Sequence, residues 1–240
     1  MVEANLFNSR GTAFELSLLF CVKDVRIMFS INKNRLALFA CASVGLLSSM
    51  THAQTISSFQ IAPSSADSLT GNLRATISGQ QKNVTNSAFK AWIVEGGKAV
   101  LWSAPDGAGG YENEGQSLWR YEAKNGQKYK LAADYFMIES VREVKPNSGK
   151  LAYLMALRDG GLGAPLLALV DPKRGVVWRQ QMARLTAIRN GRLAVGLVTE
   201  DAIADAESTS KSPKISQMLY PNIDDLLKRP VIVLKRSGMD

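Results

Sequence analysis

From Leu73 onward the apolar residues fall into short runs, rich in β-branched, aromatic and aliphatic side chains and bounded by turn residues. The runs predict strands at residues 73–77, 91–94, 98–103, 117–122, 127–132, 138–144, 151–157, 166–170, 176–180, 185–189, 193–199 and 231–235. Gly96-Gly97, Asn125-Gly126, Asn147-Ser148-Gly149 and Asn190-Gly191 supply the turns between them. Segments this short, with so little between them, predict an all-β architecture. Two stretches break the pattern. Residues 199–207 are acidic and helix-permissive, and Asn222 followed by Ile223-Asp224-Asp225 reads as an N-cap opening a short helix over 222–228.

The strands recur in groups. Trp92-Ile93-Val94, a Gly-Gly turn and Val100-Leu101-Trp102 are matched by residues 141–154 around Gly149-Lys150. They are matched again by residues 185–197 around Gly191-Arg192. A third strand also returns: Leu118-Trp119-Arg120-Tyr121-Glu122, Leu167-Ala168-Leu169-Val170-Asp171 and Val231-Ile232-Val233-Leu234-Lys235. Each unit is a four-stranded antiparallel meander of about 45 residues, the period of a propeller blade. In the run from Gly149-Lys150 to Asp159-Gly160 and the run from Leu167 to Gly175, the chain resembles exported bacterial β-propeller repeat proteins of the TolB-like, WD-repeat-like kind. That resemblance implies about three propeller-like meanders over residues 73–240, after a polar lead-in at 54–72 and with an insertion at 200–229. The third unit lacks its fourth strand, which residues 73–77 would supply by closing the first unit onto the last. A compact β-barrel or sandwich of the same meanders is the other arrangement.

Upstream, residues 28–35 carry Lys33 and Arg35 and no acid, and an apolar run of small and aliphatic residues follows at 36–47. It ends in Ser48-Ser49-Met50-Thr51-His52-Ala53, with small residues at the two positions a signal peptidase reads. That three-part pattern predicts a secretory signal peptide over 28–53, cleaved between Ala53 and Gln54. Its apolar core is shorter than the roughly 18–20 residues of a membrane-spanning helix, so it reads as a signal and not a span; the mature chain is expected to carry no transmembrane segment. Residues 1–27 fit no export pattern and read as a start assigned too far upstream. The alternatives are a cytoplasmic extension that turns the apolar run into an anchor, or a lipoprotein acylated at Cys41.

Cleavage there alters the chemistry. Cys21, Cys41 and His52, which are the two cysteines and the one histidine of the chain, all precede Gln54. The mature chain then has no disulfide, thiol nucleophile or imidazole, which excludes Ser-His-Asp and Cys-His catalysis and His-ligated zinc or haem. Its 24 Lys and Arg against 18 Asp and Glu leave a formal charge of +6, scattered rather than concentrated or interleaved with aromatics. A nucleic-acid partner is not expected; an anionic envelope partner, lipid or acidic glycan, is.

Two glycine-rich loops carry the candidate chemistry. Asp106, Gly107, Gly109, Gly110, Tyr111, Glu112, Asn113 and Glu114 combine backbone freedom, acceptors and an aromatic ring. Asp159 opens the equivalent loop, 159–165, of the next unit, so both loops are expected at one end of neighbouring units. The four tryptophans fall in strands and read as packing residues, Asp224 and Asp225 as helix-terminus charges, and Lys98 and Lys150 as solvent-facing. The composition therefore predicts an exported, non-enzymatic binding module whose loops at 106–115 and 159–165 meet an envelope protein or glycan. A glycan-active enzyme using Asp106, Glu112, Glu114 and Asp159 is one alternative. A domain without other cofactors, stabilised by calcium at Asp106, Glu112 and Glu114, is a second.

Overall fold

The computed structural model describes residues 16–22, 25–31, 54–65, 68–106, 115–133, 137–158 and 163–233. The chain divides into two units, Met1–His52 and Ala53–Asp240. In the first, β1 (Leu16–Val22) pairs antiparallel with β2 (Val25–Ile31), from Leu16 opposite Ile31 to Val22 opposite Val25. Of the expected export signal, residues 28–31 lie in β2; 32–53, with Cys41, His52 and Ala53, are outside the described residues.

The second unit is all-β apart from short helical segments. Its first sheet is β3 (Ile56–Pro63), β4 (Gly71–Ile77) and β5 (Gln80–Ala88). The second is β6 (Lys90–Val94), β7 (Ala99–Pro105), β8 (Gln116–Glu122) and β9 (Lys128–Ala133). The third is β10 (Met137–Val144), β11 (Ala152–Arg158), β12 (Pro165–Asp171) and β13 (Gly175–Gln181). The fourth is β14 (Ala183–Arg189), β15 (Arg192–Leu197) and β16 (Gln217–Leu219). Among the described residues every sheet is an antiparallel meander in sequence order, and none closes on itself.

Period-two alternation sends each central strand into two cores at once. Along β7, Ala99 and Leu101 enter the core between the second and third sheets, while Val100, Trp102 and Ala104 enter the core between the first and second. Along β11, Tyr153, Met155 and Leu157 face the second sheet, and Ala152 and Leu154 face the fourth. These runs are continuously apolar because both faces are covered. A leucine such as Leu101 or Leu157, fully withdrawn from water, contributes roughly 1.5–3 kcal/mol relative to an exposed one. At the outer face of the first sheet the alternation instead presents Ser58, Arg74 and Thr76, with Ser58 Oγ donating to Thr76 Oγ1 at 3.1 Å.

Helix α1 (Glu200–Thr209) starts where Thr199 Oγ1 accepts from the Ala202 amide at 3.2 Å, with Glu200 and Asp201 in its first turn. Ile203 and Ala206 form its buried face. Helix α2 (Ile223–Leu226) is capped by Asn222, as its sequence predicts, and buries Ile223 and Leu226 in the core of the third and fourth sheets.

The chain crosses from β5 to β6 through Phe89 alone and from β13 to β14 through Met182 alone. Two Cα steps reach at most about 7.6 Å. These are corners at which a strand bends out of one sheet into the next.

Other expectations are corrected in detail. Residues 73–77 do not complete the last unit, because β4 is paired on both sides by β3 and β5. The third strand of the last sheet is β16, drawn from the stretch read as an insertion. Residues 231–233 form no strand of that sheet; the Ile232 amide donates to the Val176 carbonyl at 2.8 Å, laying the segment along β13. The polar stretch 54–72 contributes β3. No helix among the described residues is long and apolar enough to cross a membrane.

Candidate functional site

The meanders give the second unit two different ends. At one end lie the tight turns β6–β7, β10–β11 and β14–β15, and their side chains are spent on holding sheets together. Glu95 occupies the β6–β7 turn with φ of +56°, a left-handed conformation that costs a non-glycine residue energy. Its carboxylate accepts from Arg120 Nη2 at 2.9 Å and from the Tyr153 hydroxyl at 2.5 Å, while its own amide donates to Glu143 Oε2 at 2.7 Å. Arg120 also bonds Glu122. Burial works against the Arg120 charge, but the hydrogen bonds it donates to Glu122 and Glu95 outweigh it and raise its pKa. Burial, and then Glu95, push the Tyr153 phenol well above the usual range. Tyr153 is fully buried, and this cluster ties the second sheet to the third. Asp224 is similarly engaged, accepting from the Ser148 amide at 3.2 Å and bonding Ser148 Oγ.

The opposite end carries the longer loops. Asp106 and Gly115 close the base of the first glycine-rich loop through Asp106 N–H to Gly115 O at 3.0 Å. The Asp106 carboxylate bonds Ser117 Oγ and lies 2.7 Å from Lys130 Nζ. Lys130 in turn sits 5.4 Å above the ring of Trp119, which stacks on its cross-strand partner Trp102 at 5.9 Å and 15°. The whole Trp102–Trp119–Lys130–Asp106 ladder fixes the root of the loop.

The roots of the two loops meet. Gln116 Oε1, at the exit of the first loop, accepts from the Ile138 amide at 2.9 Å. Ile138 pairs with Leu157, and Arg158 follows at the entrance to the second loop. Lys90 Nζ donates to the Glu139 carbonyl at 3.2 Å, and the Glu139 carboxylate holds Arg158 Nε at 2.8 Å. Beyond Arg158 opens a cleft of about 290 Å³ bounded by Gly163 and Pro165, by Arg184 of β14, and by α1 with the residues that follow it. Arg158 and Arg184 line its strand wall; Glu207, Ser210 and Lys211 line its helix wall; Ile203 and Ala206 supply apolar surface. Neither Arg184 nor Lys211 forms an ion pair among the described residues. Guanidinium groups in such a setting recognise carboxylate or phosphate through paired N–H donors.

Of the residues singled out in the sequence, Asp106 stands at the loop root with its carboxylate engaged. Gly107, Gly109, Gly110, Tyr111, Glu112, Asn113, Glu114 and Asp159 lie outside the described residues. Among the described residues no three His, Cys, Asp or Glu side chains converge to hold a metal ion. The cleft cations went unnoticed in the sequence because Arg158, Arg184 and Lys211 are far apart along it. The available signal was Arg158 ending an apolar strand directly before a glycine-rich loop. The chain matches no protein-family model, no curated protein and no solved structure.

Proposed function

We propose that the protein is an exported, non-enzymatic binding module of the bacterial envelope, and that its contact surface is the end from which the loops 106–115 and 159–165 emerge. The reading of export rests on residues 28–53, and the second unit begins at Ala53, one residue before the expected cleavage point. The observation that carries the binding surface is the bond between Gln116 Oε1 and the Ile138 amide, which brings the roots of both loops together across two sheets. A binding function also accords with the polar clusters at the other end, which are consumed in joining sheets. The architecture proposed is a stack of meanders with the repeat of a propeller but single-residue corners at two sheet boundaries.

The test is capture from detergent-solubilised envelope by the full chain, beside a variant lacking residues 107–114. Capture by the first and loss in the second, with an unchanged thermal midpoint, supports the reading. Equal capture by both folded chains removes it.

A further inference from the structure

Resting on that reading of the loop end, we infer that the cleft between Arg158, Arg184 and α1 binds a single sugar-sized anion, one carboxylate or phosphate carried on a hydroxylated body. Three features of the cleft select this class.

The first is charge. Arg158, Arg184 and Lys211 face one carboxylate, Glu207, around a shared space. Glu139 lies 2.8 Å from Nε of Arg158 and orients its guanidinium from one edge. An oxyanion placed between the two arginines accepts charge-assisted hydrogen bonds from a planar donor set, a geometry lysine does not offer.

The second is asymmetry. Glu207 and the hydroxyl of Ser210 are carried by the helix wall, whereas Arg158 and Arg184 are carried by strands. A bare anion gains nothing from Glu207 and is repelled by it. A hydroxylated ligand donates to Glu207 and Ser210 while its acidic group meets the arginines. Gly163, at φ of +62°, lies beside the Glu207 carboxylate: a Cβ there would stand 3.3 Å from Glu207 Oε1.

The third is size and floor. A cleft of about 290 Å³ lies at the small end of ligand sites, which run from roughly 300 to 1,000 Å³, and takes one ring rather than a chain. Ile203 and Ala206 offer apolar surface to the C–H face of such a ring.

The experiment is calorimetric titration of the full chain with glucuronate, glucose 6-phosphate, glucose and inorganic phosphate. Both acidic sugars are expected to bind at least about tenfold more tightly than glucose, and less tightly as salt is raised. Arg184→Ala is expected to weaken both acidic sugars by about tenfold or more, with Arg184→Lys recovering only part, while Lys150→Ala at the opposite end changes nothing. Glu207→Gln is expected to weaken the acidic sugars and to strengthen inorganic phosphate. Circular dichroism and the thermal midpoint check that each variant is folded. The inference is overturned if neither acidic sugar binds at about 10 mM, or if folded Arg184→Ala and Lys150→Ala bind alike. Failure here with loop-dependent envelope capture intact removes only the ligand class. Arginine-dependent sugar binding without envelope capture removes only the broader reading.

Discussion

The hydroxyl of Tyr153 lies 2.5 Å from Oε1 of Glu95, joining a buried residue of the third sheet to a turn of the second. The contact explains why a glutamate holds a left-handed backbone angle that glycine would occupy more easily, with Gly96 and Gly97 immediately following. The side chain repays the backbone. Removing it leaves Arg120 with Glu122 alone and a phenol without its carboxylate acceptor. Glu95→Ala is expected to cost about 3 kcal/mol and Tyr153→Phe about 1 kcal/mol. The pair should be coupled, so that the double variant loses clearly less than the two singles together. Denaturant unfolding of the four chains checks this; strict additivity would mean the contact carries no stability.

Alkaline pH probes the same contact by another route. Burial and then Glu95 raise the Tyr153 pKa above the ordinary value of about 10. A phenol that keeps its proton more tightly when folded contributes stability that is whole below about pH 10 and is lost as pH rises toward the folded pKa. The chain should therefore lose stability above about pH 10 more steeply than Tyr153→Phe does. Equal slopes would contradict the assignment. Tyr121 and Lys228, whose pKa values are also raised, contribute equally to both chains and cancel in the comparison.

Acid pH tests the strap at the end of the chain. Arg174 reaches from the β12–β13 turn to Asp171 at 2.9 Å, to the Arg229 carbonyl at 3.1 Å and to the Leu227 carbonyl. Burial of Asp171 favours its protonated form, but the hydrogen bonds from Arg174 and the Lys173 amide prevail and hold its pKa below the usual carboxylate range. Its contribution is present above about pH 4 and lost as pH falls through the depressed value. Asp171→Asn should flatten that acid limb and expose residues 227–233 to faster amide exchange. An unchanged limb would remove the strap from the account.

Ser103 predicts a change of the opposite sign. Its hydroxyl is fully buried on β7 and has no hydrogen-bond partner among the described residues. Ser103→Ala removes an unsatisfied group at almost no change in shape and should raise stability by about 1 kcal/mol. A loss of stability would mean the hydroxyl has a partner after all.

The second and third sheets were legible in the sequence because both faces of their central strands are covered. β7 and β11 are apolar at nearly every position, and their bounding turns carry glycine or asparagine. Strands β3 and β5 were not legible. β5 opens Gln80-Gln81-Lys82-Asn83, all exposed, and buries only Val84 and Ala88, so its strand character comes from pairing with β4 and not from its own pattern. β16 is three residues long and is defined by β15. The candidate site divides the same way. Both loops announced themselves by composition, whereas the cleft depends on Arg158, Arg184 and Lys211 meeting through a corner at Met182 and a helix at 200–209, which no local pattern encodes.

The claim that the loop end is the contact surface is tested most directly by photo-crosslinking in intact envelopes. One benzophenone side chain would replace Met137, exposed beside the second loop, and another would replace Lys150, exposed at the turn end. The account predicts a discrete adduct from position 137 and none from position 150. An adduct from position 150 with none from position 137 would contradict it.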